Sequence, residues 1–189
     1  MPVVICLLRG INVGGHHKVG MAALRELCDS QQLTEARTLL QSGNLLFKTK
    51  ERNMPALKKR FEACFEQAFG FRSETVFRTA GELRQTLAAN PFAKRRDVEP
   101  AKLIVAFLAA DPLGDGEQQI GRLNVTPEEI HLRGREVFIY YPGGMGQSKL
   151  QLPKIERALG TFGTARNWNT VTKLLSMAEE MEHASKPRL

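Results

Sequence analysis

A glycine-rich segment near the start of the chain, residues 9–18, has the residue types of an anion-binding loop. It reads Arg-Gly-Ile-Asn-Val-Gly-Gly-His-His-Lys and follows an apolar run. Glycines let backbone N–H groups approach an anion, and a helix that follows supplies further N–H donors. No Gly-Lys-Ser/Thr follows these glycines, and the GxGxxG spacing of dinucleotide folds is missing. The segment therefore indicates anion binding, although a strand-to-helix connection that needs positive φ explains the glycines equally well.

A second polar segment, Ser42-Gly43-Asn44, separates two predicted strands. Antiparallel pairing of the first strand with the third puts this turn and the glycine-rich loop at the same end of the sheet. A hairpin turn needs such residues for its own conformation, which is the competing interpretation. The predicted ligand-binding residues at this end are Arg9, Gly10, Asn12, Gly14, Gly15, Lys18, Ser42, Gly43 and Asn44.

A further candidate site lies in the second half of the chain. Residues 141–149 contain three glycines before a predicted helix, and Arg166-Asn167-Trp168-Asn169-Thr170 follows the last predicted strand. Adjacent polar side chains at a strand end are typical of sites, so Arg166 and Asn167 are predicted to bind ligand, together with Arg78 from the first half. The structural alternative makes Ser148 and either Asn169 or Thr170 helix caps and puts Trp168 in the core.

The residues that usually carry catalysis or hold metals form no defined pattern here. His16 and His17 are adjacent, so they cannot face one metal as an i, i+4 helical pair does, and Cys6, Cys28 and Cys64 have no metal-ligand spacing. The four histidines give no Cys-His or Ser-His-Asp assignment. We predict no metal, and the sequence specifies neither a cofactor nor a reaction.

The charge balance favours anionic partners. The formal net charge is +7 at pH 7, with basic residues concentrated in residues 48–60 and 94–96. A small anionic or phosphorylated ligand fits this charge best, and nucleic acid bound by the basic segments ranks second. No stretch approaches the roughly 20 apolar residues of a spanning helix, so we expect a cytoplasmic protein that does not enter the membrane.

The predicted elements that position these residues form an α+β fold of two tandem ferredoxin-like (βαββαβ) units with antiparallel sheets, a connector helix and a C-terminal helix. The predicted boundaries are 1–78 for the first unit, 79–100 for the connector helix and loop, and 101–189 for the second unit with the C-terminal helix. Strand Val3–Leu8 is apolar on both faces, so the other unit or a homodimer is expected to cover the face without helices. A structural or dimerisation module without ligand is therefore a third hypothesis.

Element boundaries follow from apolar spacing and turn residues. A helix is predicted over Met54–Phe69, because its apolar residues share one stripe and Gly70 occupies the C-cap position. Strands are predicted at Arg37–Gln41 and Lys102–Leu108, and a helix at Lys149–Leu159. The two halves repeat the order of elements, with no repeat of individual residues.

Taken together, the motifs resemble the bacterial family catalogued as domain of unknown function 1697. The resemblance covers nearly the whole chain and rests on these segments: Leu-Leu-Arg-Gly-Ile-Asn-Val-Gly-Gly (7–15) with Val19 and Met21, Gln41-Ser42-Gly43-Asn44, Phe77-Arg78-Thr79, Asn90-Pro91-Phe92 and Arg166-Asn167-Trp168-Asn169-Thr170. The resemblance implies two ferredoxin-like halves and no particular activity. Its signature residues coincide with the polar loop residues selected from topology, whereas His16 and His17 fall in a variable part of the loop.

Overall fold

The computed structural model describes residues 1–123 and 126–184, which form two four-stranded antiparallel sheets and six helices. Residues 185–189, the end of the predicted second unit, lie outside the described part. The strands, β1 to β8, are Val3–Leu8, Thr34–Leu39, Asn44–Lys48, Thr75–Thr79, Leu103–Leu108, Glu129–Arg133, Glu136–Tyr140 and Gly163–Asn167. The helices, α1 to α6, are Met21–Ser30, Met54–Phe69, Ala80–Ala88, Gly116–Gly121, Leu152–Leu159 and Trp168–His183.

The two sheets have the same strand order. The first runs β2-β3-β1-β4 and the second β6-β7-β5-β8. In each sheet the strand that comes first in the sequence, β1 or β5, is therefore an inner strand. In the first sheet Cys6 of β1 lies opposite Leu45 of β3 and Phe77 of β4. All six residues of β1 are buried, as expected for a strand that is apolar on both faces.

The face of β1 that carries Val4, Cys6 and Leu8 packs into the core with α1 and α2. Phe61 of α2 is fully buried there, and its ring lies 6.4 Å from Phe47 by centroids. A corresponding core in the second sheet joins β5 to α4 and α5. Burial of these apolar side chains provides the main driving force for each half to fold.

Helix α2 begins and ends as predicted. The Asn53 side chain accepts a hydrogen bond from the Ala56 N–H at 3.0 Å, and Pro55 occupies the first turn, where its missing N–H is not needed. Gly70 ends the helix with φ 76°, in the left-handed region that glycine adopts without a Cβ penalty.

Strand β2 is displaced from its predicted position: it spans Thr34–Leu39, and Leu40 and Gln41 belong to the turn. The strand lies at the sheet edge and its pairing with β3 is irregular between Thr34 and Arg37, with Glu35 at φ 53°. The side chain of Lys48 is only 3% exposed and donates to Glu35 at 2.5 Å. This ion pair joins a buried lysine to an exposed glutamate at the irregularity, and the sequence analysis missed it.

Helix α5 begins at Leu152, three residues later than predicted, and a 3-10 turn at Met145–Gln147 precedes it. Pro153 in the first turn fits a start at this point, because proline is tolerated there and not deeper in a helix. The N-cap is Gln151, so the structural role suggested for Ser148 was wrong. Ser148 instead accepts a hydrogen bond from the Leu150 N–H at 2.9 Å.

Contacts divide the chain into two units. The second is continuous, from Arg84 to Lys173, and contains the second sheet. The first is discontinuous: it joins residues 1–83, with the first sheet, to the segment that begins at Leu174. Within this unit Arg37 and Glu180 form an ion pair at 3.9 Å.

The two sheets also share residue-level features that the sequence analysis missed. In each, a helix glutamate accepts a hydrogen bond from the first N–H of the last strand: Glu62 from Thr75 and Glu156 from Gly163, both at 2.7 Å. Arg78 of β4 lies opposite the third residue of β1, and Arg166 of β8 lies opposite the third residue of β5. The halves therefore repeat particular contacts as well as element order.

The repeated glutamate contact gives a stability prediction. We expect Glu62→Ala to lower the free energy of unfolding by about 2 kcal/mol, because Thr75 is fully buried and its N–H and hydroxyl both lose their acceptor. Urea denaturation measures the change. Glu66→Ala in the same helix is the control: it removes only an exposed ion pair with Arg72, and a loss below about 0.5 kcal/mol is expected. Equal losses would contradict the structural role of Glu62.

Candidate functional site

The structure brings the glycine-rich loop and the hairpin turn together at one end of the first sheet. The Leu8 N–H donates to the Gly43 carbonyl at 2.8 Å, and Asn12 Nδ2 donates to the Gln41 carbonyl at 2.7 Å. The first contact extends the pairing of β1 with β3 beyond the strands, and the second joins the loop to the turn. The segments that topology predicted to converge are thus hydrogen-bonded to each other.

Asn12 joins three parts of this region through one side chain. Besides Gln41, its Nδ2 donates to the Val19 carbonyl at 3.1 Å, and its Oδ1 accepts from the Val19 N–H at 2.8 Å. The backbone of Asn12 has φ 55°, a conformation that asparagine tolerates better than most residues. Both amide hydrogens and the carbonyl oxygen are therefore used within the fold, and Asn12 shapes the loop.

The predicted turn residues Ser42, Gly43 and Asn44 hold the hairpin in the same way. Asn44 is fully buried, and its Nδ2 donates to the Leu39 carbonyl and to Ser42 Oγ, both at 2.9 Å. Gly43 has φ 75° and lies against the end of β1. These three residues support the cleft described below without lining it.

The base of the loop is attached to the segment before β4. Arg9 lies 3.5 Å from the Glu74 carboxylate, and the Ser73 hydroxyl donates to the Arg9 carbonyl at 2.9 Å. The His17 ring stacks on Phe71 with centroids 4.3 Å apart, and its Nδ1 lies 3.3 Å from the Gly10 carbonyl. The positive φ angles of Gly10, Gly14 and Gly15, between 58° and 80°, allow the tight path between these attachments.

An open cleft of about 470 Å³ lies where the loop, the turn and the start of α1 meet. Its lining residues are Asn12, Gly15, Lys18, Val19, Gly20, Met21 and Gln41. Lys18 is exposed, and within the described part of the chain its ammonium has no acidic partner at ion-pair distance. The cleft thus combines glycine backbone, the start of a helix and an available positive charge.

The start of α1 has backbone donors that no side chain caps. Gly20 is the N-cap, it has no side-chain acceptor, and the first turn contains no acidic residue. The first N–H groups of a helix have no partner inside the helix and attract negative charge. In this cleft they adjoin Lys18, so positive potential from backbone and side chain coincides.

The corresponding cleft of the second unit has the opposite character. It lies where the loop after β5 enters α4, has a volume of about 420 Å³ and is lined in part by Asp111, Asp115 and Glu117. Asp115 is the N-cap of α4 and accepts from the Gln118 N–H at 3.1 Å. A carboxylate of the chain itself therefore occupies the position that carries no side chain at Gly20.

The three other predicted binding residues do not lie in the cleft of the first unit. Arg78 and Arg166 are 2% and 8% exposed. Arg78 donates to the Phe77 carbonyl at 3.0 Å, and Arg166 donates to Thr164 Oγ1 at 2.8 Å. Asn167 caps α6 by accepting from the Thr170 N–H at 2.9 Å, which is the role that the structural alternative gave to Asn169 or Thr170.

Within the basic run at residues 94–96, Arg95 makes ion pairs and a ring contact with other parts of the chain. Arg95 forms ion pairs with Asp97 at 2.5 Å and Glu129 at 2.7 Å, and its guanidinium lies 5.6 Å from the centroid of the Phe92 ring. Hydrogen bonds to Asp97, then Glu129, raise the pKa of Arg95, and the same contact with Arg95 lowers the pKa of Asp97. Arg95 thereby fixes the connector against the second sheet.

Three further features of the described residues concern metal ligands, thiol chemistry and membrane-spanning helices. Among residues 1–123 and 126–184, no three His, Cys, Asp or Glu side chains are grouped so that they would hold a metal ion. Burial, followed by the nearby Asp29 charge, raises the pKa of the Cys28 thiol to about 12, so this cysteine stays protonated at neutral pH. No helix in that part of the chain has the length and apolar character needed to span a membrane.

Comparisons with known proteins agree with the motifs and the fold. The model of the family described as "Protein of unknown function (DUF1697)" matches residues 1–138. The conserved bacterial protein SP0830 from Streptococcus pneumoniae has a similar structure, with a TM-score of 0.74 and 23% sequence identity over 95% of this chain and 99% of the other. A search of curated proteins gives no significant match. At that identity the structural likeness concerns the fold alone.

Proposed function

This chain belongs to the family described as "Protein of unknown function (DUF1697)", and we propose that it binds a small anionic or phosphorylated ligand in the cleft at the start of α1. The observation that carries the proposal is the uncapped N-terminus of α1 beside Lys18. Backbone N–H groups and an ammonium group together provide donors and charge for a phosphate or carboxylate. Arg9, Gly10, Gly14, Ser42, Gly43 and Asn44 are proposed to support this site through the loop and the turn.

The second unit supplies an internal comparison for this proposal. Both clefts follow the first strand of a sheet and lead into a helix, but Asp115 caps α4 whereas Gly20 leaves α1 open. A carboxylate in the Asp115 position competes with an external anion for the same N–H groups and repels it. The proposal therefore assigns anion binding to the first unit only.

The proposal is tested by replacing the glycine cap with an acidic one. We expect Gly20→Asp to stabilise α1 in the absence of ligand and to weaken phosphate binding at least tenfold, because its carboxylate occupies the helix N-terminus. Gly20 has φ −73°, and a Cβ added there would have no heavy atom within 4 Å, so the side chain fits. Isothermal titration with inorganic phosphate, pyrophosphate and sugar phosphates measures the affinity, and a thermal melt measures the stability.

Lysine variants give the matched control. Lys18→Ala is expected to weaken binding about tenfold, whereas Lys59→Ala, which removes the same charge from an exposed position on α2, leaves the affinity unchanged.

The wild-type melting temperature should rise by roughly 5–10 °C at a ligand concentration about 100 times Kd. Binding that neither Gly20→Asp nor Lys18→Ala weakens would refute the site, and no binding of any of these anions would refute the function.

Nucleic acid remains the second candidate partner, and ion pairing in the basic segments weakens its support. Lys58 pairs with Glu62 at 2.6 Å, Arg60 with Glu51 at 3.9 Å, and Arg95 has two carboxylate partners. Cations already paired with carboxylates contribute less to phosphate binding along a strand. If this alternative holds, oligonucleotide affinity should fall steeply with salt and be insensitive to Gly20→Asp.

The architecture that holds the site is proposed to be a tandem of ferredoxin-like units. The βαββαβ order and the matching strand orders of the two sheets support this assignment. The proposed boundaries are 1–78, 79–100 and 101–189. A homodimer, or a structural role without ligand, predicts association in solution that does not depend on Lys18, which sedimentation of the Lys18→Ala variant would reveal.

A further inference from the structure

Two exposed apolar residues are sequence neighbours of residues that line the cleft of the first unit. The large hydrophobic residues that stand out as exposed in the described chain are Met1, Val13, Leu40 and Leu113. Val13 is 65% exposed and lies in the sequence between the lining residues Asn12 and Gly15. Leu40 is 63% exposed and precedes the lining residue Gln41. The hydrogen bond between Asn12 and Gln41 brings these two segments together, so two of the four exposed residues belong to segments that line one cleft.

Folding does not explain the leucine at this position. Leu40 has φ 58°, in the left-handed region, where a bulky side chain costs about 1 kcal/mol relative to glycine or asparagine. Its exposed side chain contributes little core burial to offset that cost. Leu113 differs, because a Cβ added to Gly160 would lie 2.4 Å from Leu113 Cδ1, so this leucine packs over the end of α5.

We infer that the ligand carries an aliphatic body beside its anionic group, as an alkyl or acyl phosphate does. This inference rests on the proposed anion site and adds Val13 and Leu40 as the residues that select the body of the ligand. The lysine and the helix N–H groups hold the anionic end, and the two aliphatic side chains at the rim remove part of the hydrocarbon from water. Valine and leucine suit a hydrocarbon chain through contact area, without a requirement for ring stacking.

The test compares inorganic phosphate with butyl phosphate by isothermal titration of the intact chain. Wild type is expected to bind butyl phosphate roughly fivefold to tenfold more tightly than phosphate. The double variant Val13→Ser, Leu40→Asn is expected to lose this preference and keep its phosphate affinity. Asparagine accepts the left-handed backbone at position 40, so the melting temperature should not fall. Leu113→Ser is the matched control and should retain the preference.

The outcomes separate this inference from the proposed function. Phosphate binding that depends on Lys18, without tighter binding of butyl phosphate, would overturn the aliphatic ligand and leave the anion site intact. A preference that survives in the double variant, or disappears in Leu113→Ser, would overturn the assignment to Val13 and Leu40. Binding to phosphatidylglycerol vesicles without binding of butyl phosphate would replace the soluble ligand with a lipid surface, and binding of no anion would overturn both proposals.

Discussion

Replacing Gly43 with alanine is expected to lower the free energy of unfolding by about 3 kcal/mol. Gly43 has φ 75°, and an added Cβ would lie 3.0 Å from Leu8 Cβ and 3.1 Å from both Ile11 Cγ1 and the Leu8 carbonyl oxygen. The strained backbone and the crowding act together, because the Leu8–Gly43 hydrogen bond prevents the turn from moving away. Urea denaturation followed by circular dichroism measures the change.

Gly70→Ala separates the two causes. Gly70 has φ 76°, nearly the same as Gly43, but no heavy atom lies within 4 Å of an added Cβ. Its replacement should therefore cost only the backbone strain, about 1 kcal/mol. The difference between the variants measures how tightly the hairpin turn packs against β1. If the two substitutions destabilise the protein equally, the close approach of the turn to Leu8 is wrong.

Replacing Asn12 with alanine is expected to cost about 2–3 kcal/mol of stability and to weaken phosphate binding at least tenfold. The alanine variant loses the three side-chain hydrogen bonds to Val19 and Gln41. Without them the loop that carries Lys18 is no longer fixed to the turn, so the walls of the cleft separate. Urea denaturation and titration calorimetry measure the two effects.

Three comparisons define the role of Asn12. Asn12→Gly loses the same hydrogen bonds but tolerates φ 55°, so it should be about 1 kcal/mol more stable than the alanine variant. Asn12→Asp keeps the acceptor for the Val19 N–H and should show a smaller loss. Asn169→Ala, at an exposed position in α6, should change stability by less than about 0.5 kcal/mol. Asn12 would have no positioning role if its alanine variant resembled the Asn169 variant in both measurements.

The elements that the sequence predicted well are those whose local signals agree with their tertiary setting. In α2 an apolar stripe, an asparagine cap and a C-terminal glycine all point to the same boundaries. Strand β2 lacks such agreement, because it lies at the edge of the sheet and none of its residues is fully buried. Its irregularity coincides with the contact between Glu35 and Lys48 of β3, residues that are 13 positions apart. Alternation of apolar residues gives no information about such an edge.

The sequence predicted the location of the candidate site better than the role of each residue in it. Topology was sufficient to bring the glycine-rich loop to the hairpin turn, since strand direction determines which end of a sheet a loop leaves. The roles of Asn12 and Asn44 were not, because an amide side chain suits a ligand and a backbone carbonyl equally well. Lys18 was predicted as a ligand-binding residue, whereas Gly20 was not, because its importance depends on the absence of a carboxylate cap at α1. The matching contacts of Glu62 and Glu156 were hidden because the sequences around them differ.

The discontinuity of the first unit has a consequence for protein synthesis. Domains generally fold as they leave the ribosome, starting from the N-terminus. The first unit includes the segment that begins at Leu174, in which Leu174, Ala178 and Met181 are buried. The continuous second unit is complete when residue 173 has emerged, whereas the first still lacks its last helical turns. We therefore expect the half translated first to reach its final state last, with its nascent chain exposed to chaperones until the segment that begins at Leu174 has emerged.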